Sequence, residues 1–253
     1  MKKIMLLSPH LDDAVFSVGG VMAALADEGH ALHVVTCFTR SVPNPTGFAL
    51  ACQLDKGLSA ETDYMRLRRQ EDALACELLG AQPHWIDLPE APHRGYQSAA
   101  ALFGDFVTED VIQPELTEQV RAMVARLQPD LILSPVGIGH HVDHRQVVQT
   151  VEKLREEISD GLFLRWYDEP YLARNPAACP VSIQTEQRPR WEVLYQQATD
   201  PKGLPVPLDA DAHADQKLEA CSAYATQVGF QFGGAAAIRE VLSPRGRLIE
   251  LLV

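Results

Sequence analysis

"KIMLLSPHLDDAVFSVGG", residues 3 to 20, decides how the rest of the chain is read. Its opening, "KIMLLS" (3–8), is a short and nearly continuous apolar run, as expected of a strand buried on both faces of a parallel sheet. At Pro9 the run stops, and His10, Asp12 and Asp13 crowd three polar side chains into the turn that follows. From Ala14 onward apolar residues recur at helical spacing as far as Gly29, a C-cap residue, which predicts a helix over 14–30. "ALHVVTCFT" (31–39) reads as the next strand, completing a βαβ unit whose crossover is right-handed.

The alternation continues along the chain. A helix is predicted over 62–80, a strand over 83–88, a helix over 116–130 stopped before Pro129, and an apolar strand "LILSPV" over 131–136. Directly beyond it lies "GIGHHVDHRQVVQTVEKLREE" (137–157), then a strand running into a loop over 162–172 and a further helix over 214–228. Residues 40–61, rich in Pro, Gly, Asn and Ser, read as a long functional loop. Residues 173–215 are rich in proline and in acidic or amide side chains, with only 190–198 helical in pattern, and read as a peripheral C-terminal lid or insertion. The prediction is one α/β domain over 1–253, a mostly parallel sheet with helices on both faces.

Composition narrows the function. With 253 residues, 46% of them hydrophobic and 22% charged, the chain can bury a full core. A net charge of -12 argues against a nucleic-acid or anionic-membrane partner, because a polyanion is repelled on average. Five widely spread cysteines fit reduced cytosolic thiols better than a disulfide framework, and none forms a C-x-x-C pair. "MKKIMLLS" is cut short as a secretory core by His10, Asp12 and Asp13, and no apolar stretch reaches the ~20 residues of a spanning helix. A cytoplasmic protein is therefore expected. No G-x-G-x-x-G follows the first strand, and neither G-x-S-x-G nor a P-loop occurs, which removes the dinucleotide, serine-hydrolase and NTPase readings.

In an open α/β sheet, ligands bind beyond the carboxyl ends of the strands. Two polar clusters fall there: His10, Asp12 and Asp13 after strand 3–8, and His140, His141, Asp143 and His144 after strand 131–136. Catalytic zinc takes three imidazole or carboxylate ligands and leaves one position open. His10 and Asp13 could supply two, and His144 the third. Asp12, left over beside the metal, suits a general base. His141, one helical turn from His144, faces the same pocket, whereas His140 lies off that face. Helix capping is the competing reading, with Asp13 capping the helix that starts at Ala14 and Asp143 capping the next, Gln146 completing a capping-box-like pattern. His30, His33, His84, His93 and His213 lack partners at ligand spacing and read as structural or surface residues.

Pro9-His10-Leu11-Asp12-Asp13 together with His141-Val142-Asp143-His144 resembles the two signature motifs of the PIG-L/LmbE-like de-N-acetylases, zinc-dependent enzymes with a Rossmann-like fold that remove acetyl groups from N-acetylglucosamine-type substrates. The resemblance covers most of residues 1–172, including Gly19-Gly20, "RRQEDALACELLG" (68–80) and "YDEPY" (167–171), and is looser beyond, mainly through "KLEACSAYATQ" (217–227). It implies that His10, Asp13 and His144 bind Zn2+, that Asp12 is the base, that His141 stabilises the oxyanion and assists the leaving amine, and that Asp143 orients His141; by their donor chemistry imidazole and carboxylate suit Fe2+ as well. The substrate would be a small N-acetylated sugar or sugar conjugate. Where many members have proline this chain has Leu11 and Val142, and Ala14 replaces a glutamate, removing one support of the site. "LPEAPHR" (88–94) aligns with a stretch carrying a substrate-contacting aspartate, here Glu90, which with Arg68 could reach sugar hydroxyls; a helical pair of Arg68 with Glu71 is the alternative. A metal-dependent lyase or hydratase on the same fold, and a non-catalytic metal-binding module, are the rival functions.

Overall fold

The computed structural model describes residues 1–158, 162–174, 210–242 and 250. Five parallel strands lie in the order β3-β2-β1-β4-β5: β1 (Lys3–Ser8), β2 (Ala31–Thr36), β3 (Ala81–Trp85), β4 (Leu131–Pro135) and β5 (Leu162–Trp166). Side chains alternate across β1. Ile4 and Leu6 face a layer that includes α1 (Asp13–Asp27) and residues of a helix over Tyr64–Leu78, with three helices from the C-terminal part of the chain packed beyond. Met5 and Leu7 face the other layer, which holds the helices Gln113–Leu127 and Val142–Glu157. Burial on both faces is why the strand is apolar without alternation.

In chain order the described helices after α1 are α2 (Gly47–Leu54), α3 (Tyr64–Leu78), α4 (Ala99–Leu102), α5 (Gln113–Leu127), α6 (Val142–Glu157), α7 (Tyr171–Arg174), α8 (Ala214–Ser222), α9 (Ala225–Phe232) and α10 (Ala235–Leu242). Local chemistry sets their ends. Asp63 caps α3 by accepting from the Arg66 N–H at 2.9 Å. Gln128 turns left-handed after α5, and Pro129 blocks continuation.

Several expectations shift. The 40–61 segment is not loop throughout, because α2 forms once Pro43 and Pro45 are passed. Strand 83–88 is β3, displaced to 81–85, and Pro83 is accommodated there because β3 is an edge strand, where a missing N–H costs little. The single helix over 214–228 is two, α8 and α9, parted at Ala223-Tyr224. Residues 175–209 of the expected lid, with its 190–198 helix, lie outside the described residues.

Helix α1 is broken at Val18, whose φ of -135° and ψ of 27° are not helical. The break frees the Gly20 and Val21 N–H groups, and both donate to the Glu250 carboxylate, at 2.7 and 2.6 Å. Lys217 of α8 completes the arrangement with Nζ 2.6 Å from Glu250 Oε1, both side chains fully buried. Gly19 is required beside it, since a Cβ there would lie 2.9 Å from Lys217 Cγ. Replacing Glu250 by alanine strands a buried ammonium and two backbone donors, and the expected cost is about 3–5 kcal/mol. Chemical denaturation measures this; a double Lys217→Met/Glu250→Gln variant, which leaves no lone charge, is expected to lose less.

Candidate active site

Strand order places the site. β1 and β4 are neighbours from which the chain winds in opposite directions, so a crevice opens beyond their carboxyl ends. The turn after β1 enters it with His10, Asp12 and Asp13, and the loop after β4 with His141, Asp143 and His144.

The first turn is pinned by Ser8, whose Oγ donates to the His10 carbonyl at 2.8 Å and accepts from the Ala14 N–H at 3.2 Å. Ser8 thereby satisfies a first-turn donor, and the competing reading of Asp13 as a cap does not hold: Asp13 is the first residue of α1, and its carboxylate accepts from the His10 N–H at 2.8 Å. Asp143 is not an N-cap either. That position belongs to His141, whose Nδ1 accepts from the Asp143 N–H at 3.2 Å.

Asp13 Oδ2 lies 3.3 Å from His10 Nδ1 and 3.3 Å from His144 Nε2. The far nitrogen of each imidazole is already committed to a carboxylate: His10 Nε2 to Asp143 Oδ2 at 2.9 Å, His144 Nδ1 to Asp168 Oδ1 at 2.6 Å. Donation there leaves the two near nitrogens as lone pairs converging on an anion. His144 Nε2 is fully buried and has no hydrogen-bond partner. Such a set demands positive charge, and the three atoms lie close enough together to hold one ion. Protonation registers the same demand. Burial opposes charge on His144, yet Asp13 and Asp168 raise its pKa to about 9, and Asp13 and Asp143 likewise outweigh burial at His10. Burial also opposes ionisation of Asp13, but His144 and His10 hold its carboxyl well below the usual range.

Asp12 stands apart from this trio. Its carboxylate meets Arg68 Nη2 at 3.5 Å, and burial, against the pull of Arg68, lifts its pKa to about 7. His141 is pushed down to about 3 by burial and by His10. It is therefore a neutral imidazole at neutral pH, and with Nδ1 accepting, its Nε2 carries the proton. The rings of His10 and His144 are 5.0 and 5.6 Å from it. Phe103, half-exposed, meets His141 edge-on at 5.5 Å.

Two expectations are corrected by these contacts. The Asp143 carboxylate does not orient His141, whose acceptor Nδ1 has no proton to offer it; it faces His10 Nε2 and Arg94 Nη2, two donors that make charge-assisted bonds. Arg68 does not pair with Glu71, which accepts from the Thr226 N–H and hydroxyl instead; Arg68 donates to Glu90 at 2.5 Å. His140 is exposed and takes no part. Of the histidines read as structural, His30 accepts from the Lys2 N–H at 3.1 Å and His33 lies 3.1 Å from His84. Sequence reasoning misses the role of Asp168, although it lies in the quoted "YDEPY", and misses Arg94 and Asp110 behind Asp143. Their partners are distant in sequence, so no spacing rule exposes them. Gly139 is silent too: at φ +87° it runs beneath Tyr171, where a Cβ would lie 2.5 Å from the ring.

Residues 5–154 match the family model described as PIG-L, GlcNAc-PI de-N-acetylase. The chain belongs to the PIG-L family. The 2'-N-acetylparomamine deacetylase of Streptomyces fradiae is 30% identical over 178 residues, 69% of this PIG-L chain and 60% of the relative, so the alignment spans less than two thirds of that enzyme. The 4-oxalmesaconate hydratase of Pseudomonas putida is 30% identical over 114 residues, 45% of this chain and 42% of the hydratase. Among solved structures, the A40926 pseudoaglycone deacetylase matches with a TM-score of 0.73 and 26% identity, covering 96% of this chain and 90% of that one. Among the described residues no helix is long and apolar enough to cross a membrane, and Cys37, Cys52, Cys76 and Cys221 are free thiols.

Proposed function

We propose that this protein is a metal-dependent N-deacetylase that hydrolyses the acetamide of an N-acetylated amino sugar or sugar conjugate to acetate and a free amine. The observation that carries the reading is the unpartnered His144 Nε2, converging with His10 Nδ1 on Asp13 while Asp12 stands beside the trio and outside it. The deacetylase relatives support the substrate class. His10, Asp13 and His144 would hold the metal, with zinc the first choice for such donors and ferrous iron the second. When bound, it would supply a Lewis acid that polarises the amide carbonyl and eases deprotonation of water.

The chain's own residues do the rest. Asp12 takes the proton of the attacking water as its oxygen bonds to the acetyl carbon. His141 Nε2–H donates to the carbonyl oxygen as negative charge develops there. The C–N bond then breaks, and protonated Asp12 returns its proton to the departing nitrogen, so water is consumed and acetate and amine leave. Arg68, locked to Glu90 beside Asp12, would set the sugar's hydroxyls against the reacting carbon. Free thiols favour a reduced, cytoplasmic setting.

The hydratase relative favours one second reading, in which the same metal and base add water to an unsaturated acid. Zinc content and acetate release, measured on the purified protein against a panel of N-acetylated amino sugars, separate the two. Acetate from a panel member with one zinc per chain is the expected result. Zinc without acetate, but with hydration of an unsaturated dicarboxylate, would transfer the site to the second reading; a protein that takes up no metal would overturn both.

A further inference from the structure

Behind His10 lies a row of buried charges that hydrolysis does not itself use. Arg94 follows the short 3-10 turn Ala91–His93, and Asp110 precedes α5. Arg94 grips Asp110 with Nε and Nη2, at 3.0 and 3.1 Å, reaches Asp143 Oδ1 with Nη2 at 2.6 Å, and donates from Nη1 to the Pro89 carbonyl at 2.7 Å. Its Cζ sits 4.8 Å from the centre of the Phe38 ring. Asp110 is fixed in turn by the Tyr96 hydroxyl at 2.8 Å, by Gln146 Nε2 at 3.2 Å and by the Ile112 N–H at 3.3 Å. Both carboxylates are fully buried, and the guanidinium nearly so.

We propose that Arg94 and Asp110 are positioning residues for the metal ligand His10: they keep the Asp143 carboxylate aimed at His10 Nε2–H, which turns Nδ1 toward Asp13. The argument rests on the metal-site reading above. Asp143 with His10 as its one side-chain partner would be a buried anion short of donors, a costly state that reorientation relieves. Arg94 removes that cost with a charge-assisted hydrogen bond. A guanidinium can itself rotate, and the two-point hold of Asp110 stops it. The Ala91 N–H, 3.1 Å from Asp143 Oδ2, gives the carboxylate a second fixed direction. His144 needs no such row, since the two backbone N–H groups of Gly137 and Ile138 hold Asp168 in place.

The test reads zinc affinity by chelator competition, without substrate, on the full chain and on Arg94→Met, Arg94→Lys, Asp110→Asn and His10→Ala, with the melting temperature of each metal-free protein alongside. Loss of a partner behind a ligand typically weakens metal binding by about 10–100-fold, and that is expected of Arg94→Met. Arg94→Lys, keeping the charge without the fork, is expected to recover part of the affinity. Asp110→Asn keeps the shape and one accepting oxygen but turns an NH2 toward the Arg94 Nε–H and Ile112 N–H donors; it is expected to lose less affinity than Arg94→Met, with a lowered melting temperature but a folded metal-free protein, and it decides the matter if Arg94→Met does not fold. Wild-type zinc affinity in folded Arg94→Met, or in Asp110→Asn when Arg94→Met is unfolded, overturns the proposal. Wild-type affinity in His10→Ala instead overturns the metal-site reading itself, so the two failures are distinguishable.

Discussion

With Asp12 replaced by alanine, acetate release is expected to fall by about two orders of magnitude or more, the scale of a lost general base, and zinc to stay bound. The two readouts part because Asp12 and Asp13, adjacent in sequence, have different neighbours. Asp13 is wedged between two imidazoles, whereas Asp12 turns toward Arg68 and takes no part in the converging trio. The variant should also fold, since Arg68 keeps Glu90 as its partner. Steady-state acetate assays paired with metal analysis check both halves. Loss of zinc together with activity would exchange the roles assigned to the two aspartates.

The second large effect is expected at Asp168. One of its oxygens takes the His144 Nδ1–H, and the other takes the Gly137 and Ile138 N–H groups. Asp168→Ala therefore frees the ring of the proposed metal ligand His144 and removes the acceptor that shapes the loop carrying it. Zinc affinity should fall about 10–100-fold. Each buried donor left without an acceptor adds about 1–3 kcal/mol of destabilisation. Isothermal titration with zinc and denaturant unfolding of the metal-free variant measure the two separately. Unchanged zinc affinity would mean that His144 is held by packing against Tyr171 and its neighbours rather than by Asp168.

Strands β1 and β4 are legible because a strand covered on both faces must be apolar at nearly every position, and the functional turns are legible because apolar runs end abruptly in His and Asp. Two of the candidate ligands share one turn and the third opens a helix, so spacing alone brings them forward. What spacing cannot show is which partner a buried carboxylate chooses. Asp143 is next but one to His141 in sequence, yet its side chain serves His10, which is 133 residues away. Capping rules misplace Asp13 for a similar reason, since Ser8, six residues before Ala14, supplies the acceptor from outside the helix. Helix α2 escapes because the prolines before it dominate the composition of its segment, and β3 is displaced because Pro83 reads as a strand start although it lies within an edge strand.

Glu250 seals the bend of α1 from the far side of the sequence, satisfying a Gly20 N–H that is made 230 residues earlier. At ribosomal speeds of about 5–20 residues per second, the acid follows the bend by roughly 10–50 s. For that interval the emerging βαβ unit carries two open donors and an incomplete packing face, on the same helix whose first turn bears Asp13. The turn that carries His10 and Asp13 thus opens a helix whose bend is closed only after a further 230 residues have been made.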